Sequence, residues 1–146
     1  MSQDNAAGEA VPIGEAARKS GVKVPTIRYY EQIGLLAAPA RTGGNRRLFT
    51  HDDLRRLAFI RHARELGFDV EAIRALLSLQ DHPEQSCASA DAIARARLVE
   101  VEDRIARLGA LRDELARMID ECACGRVAEC RVIETLAATH RHGALA

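Results

Sequence analysis

The sequence predicts a mainly α-helical protein: a small head of short helices with one hairpin, then one long helix and a cysteine-bearing end. Three features of its 146 residues carry that expectation. Helix formers dominate, with Ala, Leu and Arg recurring throughout and charged residues at 29%. Glycine and proline cut the part of the chain before Cys87 into short segments. Between Cys87 and Asp120, by contrast, there is no proline and a single glycine, Gly109.

Residues 1–11 are small and polar, without the basic start or apolar core of a signal peptide, and are expected to form a flexible N-terminus. A short helix is predicted from Ile13, closed by Gly21, a residue that tolerates the left-handed conformation at a helix end. A second helix follows over residues 23–33, with Pro25 tolerated in its first turn and Gly34 ending it. Two short helices separated by a turn of a few residues form a helix-turn-helix pattern, with Ile13, Ala17, Val22, Ile27 and Leu35 as its small core. Residues 37–49 hold a Gly43-Gly44-Asn45 turn between short extended pieces and read as a β-hairpin, a wing made cationic by Arg41, Arg46 and Arg47. Thr50 and Asp53 give a capping-box start, with Asp in place of Glu, to a helix over residues 52–66. Leu54, Leu57, Ile60 and Ala63 lie on its inner face. Asp69 caps a further helix over residues 70–79, and residues 81–86 form a turn.

The long segment is patterned differently. Leu98, Val101, Ile105, Leu108, Leu115 and Ile119 recur at spacings of three and four, with Leu111 and Met118 beside the stripe and Arg112 interrupting it. A long helix with one apolar stripe and a charged remainder needs a partner helix, and no other segment of this chain matches its length. Self-association as a coiled coil is the economical answer.

The formal net charge of zero hides an asymmetry. From Ile13 to Arg64 there are 11 Lys and Arg against 4 Asp and Glu, a net of +7, whereas from Glu65 onward there are 10 against 15, a net of −5. A basic head on an acidic body suits a nucleic-acid binder with a separate associating or sensing part. With 3% aromatics and no Trp, a large aromatic-walled pocket is not expected. No paired carboxylates, triad or phosphate-cradling loop stand out, and Gly43-Gly44 is too short for the last, so no enzyme is expected. No apolar run reaches the roughly 18 residues that span a bilayer, so a cytoplasmic protein is expected. In that reducing compartment four cysteines point to metal or redox chemistry before disulfides.

These residues resemble the MerR family of regulators. The resemblance rests on residues 13–17 (IGEAA), 26–31 (TIRYYE), 33–36 (IGLL), 44–50 (GNRRLFT) and 61–68 (RHARELGF), and extends over roughly residues 12–136. It implies a winged helix-turn-helix DNA-binding domain, residues 12–80, on a linker and dimerisation helix, 81–120, paired as an antiparallel coiled coil. A C-terminal metal-binding loop with a short terminal helix, 121–136, and a flexible tail, 137–146, complete the chain. The implied partners are double-stranded promoter DNA with a palindromic site, a second copy in a homodimer, and RNA polymerase. The implied mode of action is activation by DNA distortion. On the same resemblance, Thr26, Arg28 and Tyr29 lie on the helix that enters the major groove, and Lys23 contacts phosphate. Arg41, Asn45, Arg46 and Arg47 belong to the first wing, and Arg61 and His62 to the second. Tyr30 and Phe49 are assigned to the core.

The cysteines Cys87, Cys122, Cys124 and Cys130 are the candidate metal ligands, since thiolates select soft and borderline ions. Cys87 and Cys122 are 35 residues apart, which a continuous helix at 1.5 Å per residue would stretch to about 52 Å. In the antiparallel dimer that the family implies, Cys87 of one copy meets Cys122 and Cys130 of the other, so a divalent ion (zinc, cadmium, lead or mercury) would bridge two subunits. In this family a cysteine at the position of Cys87 implies a divalent ion, where monovalent-ion sensors carry serine. Cys124 departs from the paired pattern, as a fourth ligand or a spare thiol. The function implied is a metal-responsive activator controlling metal efflux or resistance. The alternative is a redox-responsive regulator using the same thiols as a switch or an iron–sulfur site, although Ile119 stands where the latter needs another cysteine. A multidrug sensor is disfavoured by the absence of a separate ligand domain. His82, His140 and His142 are set aside as primary ligands.

Overall fold

The computed structural model describes residues 9–37, 44, 46–122 and 125–138. The chain forms two compact units, Met1–Ile93 and Ala94–Ala146.

In the first unit, helix α1 (Ile13–Ser20) ends at Gly21, whose φ of 72° lets its N–H reach Ala17 O at 2.9 Å. Helix α2 (Val24–Gln32) starts after an extended Lys23, with Pro25 in its first turn where no helical N–H is required. Gly34, at φ 79°, turns the chain so that Leu35 N–H donates to Tyr30 O at 2.9 Å. Helix α3 (His51–Glu65) carries the expected capping box: Thr50 N–H donates to Asp53 Oδ2 at 2.8 Å, and Asp53 N–H to Thr50 Oγ1 at 3.2 Å. Helix α4 (Val70–Gln80) is capped by Asp69, whose Oδ1 accepts from Ala72 N–H at 2.7 Å.

The sheet holds a pairing that the sequence does not announce. Strand β2 (Leu48–Phe49) lies antiparallel to β1 (Val11–Pro12), with Val11 opposite Phe49 and Pro12 opposite Leu48. Val11 falls in the stretch expected to be flexible, and the hairpin arm expected opposite β2, residues 38–43, lies outside the described residues. A two-residue strand has too little periodicity to reveal its partner in sequence. Pro12 is tolerated because so short a pairing asks for few ladder donors.

The core brings Ile27, Leu35, Phe49, Leu57, Ile60, Ile73 and Leu77 together, all essentially inaccessible, with Tyr30 beside them. Ile13, Ala17 and Leu54 pack at its margin, while Ala16 takes the fully buried position on α1. Burial of aliphatic side chains of this size contributes roughly 1.5–3 kcal/mol each relative to exposure.

Helix α5 (Ala88–Asp120) runs without interruption for 33 residues. In the second unit its stripe is bare: Leu98 is 54% exposed and Ile119 66%, with Ile105, Leu108 and Leu115 between these values. Met118 is buried. A 3-10 turn, Val127–Glu129, leads into α6 (Arg131–Ala137). No helix among the described residues is long and apolar enough to cross a membrane.

Candidate nucleic-acid interface and thiol pair

Burial sorts the two sides of α2. Ile27 and Tyr30 are a turn apart and face the core, which leaves Arg28 and Tyr29 on the outer side, both exposed. The Tyr29 ring lies tilted against Tyr30, centroids 6.0 Å apart. Lys23 and Thr26 line a cleft of about 390 Å³ with Gly21, Tyr30, Arg61 and Arg64. Glu65 also lines this cleft. Arg64 was missed in sequence, although its spacing of three from Arg61 places both on one side of α3.

The arginines divide by what already holds them. Arg47 Nη1 donates to Glu31 Oε2 of α2 at 2.5 Å, and the carboxylate side chain is only 12% exposed. Arg47 therefore ties the start of β2 to the outer helix. Arg61 lies across the α1–α2 turn: Nη1 approaches Ser20 O at 3.4 Å and Nε donates to Glu65 Oε1 at 3.1 Å. A Cβ on Gly21 would stand 2.4 Å from Arg61 Nη1, so this close pass requires glycine there. Arg46 and His62 are exposed, while Arg41 and Asn45 lie outside the described residues.

The thiols form a second cluster. Cys122 Sγ and Cys130 Sγ stand 4.0 Å apart, and both residues are half-buried. Beside them Arg131, at the start of α6, donates from Nε to Glu121 Oε2 at 3.0 Å. That hydrogen bond, and then the charge of Glu134, hold the Arg131 guanidinium above its ordinary range. Two sulfurs each ~2.3 Å from one ion would lie about 3.8 Å apart at a tetrahedral angle and about 4.6 Å apart in line, so the observed separation fits the former more closely. Cys87, exposed, directly precedes α5, and Asp91 N–H donates to its carbonyl at 2.9 Å. Cys87, Cys122 and Cys130 are free thiols. Among the described residues no three His, Cys, Asp or Glu side chains gather closely enough to hold an ion. Cys124, His140 and His142 lie outside the described residues. His82 donates from Nδ1 to Ser78 O at 2.8 Å, beside the cleft that Cys87 also lines.

A helix-turn-helix whose outer helix presents Arg28, with Lys23 just before it, braced by a small sheet and a second helix pair, is the architecture of a DNA-binding regulator. The chain belongs to the MerR family: residues 11–80 match the MerR HTH family regulatory protein, and residues 54–118 match MerR, DNA binding. It is 45% identical over 128 residues to the HTH-type transcriptional regulator ZntR of Escherichia coli, covering 85% of this chain and 90% of that protein. It is 37% identical over 125 residues to heavy metal-dependent transcription regulator 2 of Rhizobium meliloti, covering 86% and 85%. The crystal structure of the transcription regulator PbrR691 from Ralstonia metallidurans in complex with lead(II) superposes with a TM-score of 0.75 at 38% identity, covering 87% of this chain and 99% of that one. The protein is thus a DNA-binding transcription regulator and not an enzyme.

Proposed function

We propose that this protein is a metal-responsive regulator that binds a palindromic promoter as a homodimer and activates transcription by distorting the DNA. The observation that carries the metal reading is the Cys122–Cys130 sulfur separation of 4.0 Å at the end of α5, together with Cys87 at its start. Two thiols are too few for a tetrahedral ion, so further donors come from Cys124 and from Cys87 of a second copy. The bare stripe of α5 supplies the surface for that copy, in an antiparallel coiled coil. The inducer is a divalent thiophilic ion (zinc, cadmium, lead or mercury) that bridges the subunits. Similarity to a heavy metal-dependent regulator and to a lead(II) complex supports this choice over a redox switch or iron–sulfur site.

On the DNA side, Thr26, Arg28 and Tyr29 read the major groove and Lys23 contacts phosphate. Arg41, Asn45, Arg46 and Arg47 form the first wing, and Arg61 and His62 the second. The functional divisions are the reading head, 12–80, the linker and dimerisation helix, 81–120, and the sensing loop with its short helix, 121–136. The protein works in the cytoplasm, where RNA polymerase uses the realigned promoter. Thiols ordered around the ion hold the loop against the start of the second copy's α5. The ion acts as inducer only through a difference in affinity between two conformations of the dimer.

The deciding experiment is anaerobic titration of the reduced protein with each ion, reading thiolate absorbance and stoichiometry. One ion per subunit, lost in Cys87→Ser, is expected. Unchanged binding in that variant would remove the bridging site, and iron–sulfur absorption or a disulfide without metal uptake would favour the redox reading.

A further inference from the structure

Arg56, midway along α3, uses both sides of its guanidinium. Its Nε donates to Leu35 O at 2.8 Å, in the turn that ends α2. Its Nη1 donates to both carboxylate oxygens of Asp81, at 3.0 and 3.2 Å. Asp81 is the residue at which α4 stops, and it opens the residues that lead to α5. Leu35 is in turn locked to the outer helix: its side chain is buried and its N–H is bonded to Tyr30 O. Arg74 of α4 takes the nearby carbonyl, Ile33 O, at 2.8 Å. Carbonyls at the end of a helix have no partner within it; Arg74 supplies one at the cap residue Ile33, and Arg56 takes the carbonyl of Leu35 in the turn just beyond. Of these two, Arg56 alone reaches the linker as well.

We propose that Arg56 is a positioning residue that couples the linker beginning at Asp81 to the orientation of α2 on DNA. A guanidinium is a rigid planar fork, so a displacement of one bonded partner is transmitted to the other. The Asp81 side chain is half exposed, and an ion pair of that kind contributes little stability by itself. Its consequence lies in sharing a cation with the Leu35 carbonyl in the turn that follows the reading helix. Any movement of the linker on induction then changes how Arg28 and Tyr29 are presented. The metal-responsive reading enters only as the cause of linker movement; the coupling belongs to the head.

The test is a double-substitution cycle in the full-length protein, with Arg56→Ala, Asp81→Asn and the pair. Affinity is measured for a DNA fragment selected to bind the wild type, first without metal and then with zinc alone. Thermal midpoints are recorded beside it. Arg56→Lys replaces the alanine variant if the latter does not fold. The expected result is non-multiplicative affinities in metal-free protein, by about three-fold or more. Asp81→Asn, which keeps the Leu35 bond, should bind zinc with wild-type stoichiometry yet lose most of the zinc-dependent change at the DNA. A merely structural contact would lower the thermal midpoint while leaving the affinities multiplicative, and that outcome overturns the proposal. If zinc has no effect on the wild type at the DNA, zinc is not the inducer, while the metal-free cycle still decides the role of Arg56.

Discussion

At Gly21 one residue does two jobs, since its φ of 72° closes α1 and its missing Cβ admits the guanidinium of Arg61. Gly21→Ala should lower stability by about 1 kcal/mol through the left-handed backbone alone, read as a shift in the urea midpoint. The clash at 2.4 Å is with the far end of a flexible side chain, so Arg61 is expected to swing away rather than break the fold. The helix-ending role was legible in sequence; the close pass of Arg61 was not, because its two partners are forty residues apart. Arg28 and Arg46 should separate by readout. Loss of a base contact in Arg28→Ala should weaken discrimination between DNA sequences by roughly 1–3 kcal/mol. Loss of a phosphate contact in Arg46→Ala should weaken all sequences alike and reduce the salt slope by about one. Equal salt slopes for Arg46→Ala and wild type would remove that residue from the wing contacts.

Among the elements, the helices were legible nearly to the residue, because caps and punctuation are local chemistry. The Thr50 capping box is both predicted and formed, and Thr50→Ala should cost about 1 kcal/mol of stability in a denaturant titration. The pairing of the small sheet was not legible. Its pairing joins Val11 to Phe49, and neither two-residue strand can display an alternation that would announce the other. Helix α5 lies at the opposite limit, since repeated spacings of three and four over several turns state an apolar stripe without ambiguity. What covers that stripe is a matter of partner, and Leu108→Glu tests it. A charge at a position that is 65% exposed in the single chain should be harmless there but should shift the protein from dimer to monomer in sedimentation. An unchanged dimer would place the interface elsewhere.

For the whole molecule, the uneven charge is the feature that composition alone reveals: a head of net +7 ahead of a body of net −5. The electrostatic part of DNA binding should reside in the head, so raising salt should weaken DNA binding much more than metal binding. The residue types were determined by the sequence itself: Lys23 and Arg28 at the start of α2 and on it, Arg46 and Arg47 ahead of β2, thiols flanking α5, and side-chain caps at the starts of α3 and α4. These follow from local preference and periodicity, which need no knowledge of distant neighbours. Tertiary structure decided which of those groups are already engaged. It set Arg47 on Glu31, Arg61 over Gly21, Arg56 between Leu35 and Asp81, and Cys122 within 4.0 Å of Cys130. Each is a contact between residues separated by several to dozens of positions. Packing of the intervening elements fixes such pairs; the resemblance anticipates only Cys122 with Cys130, and the arginine contacts leave no trace in local sequence.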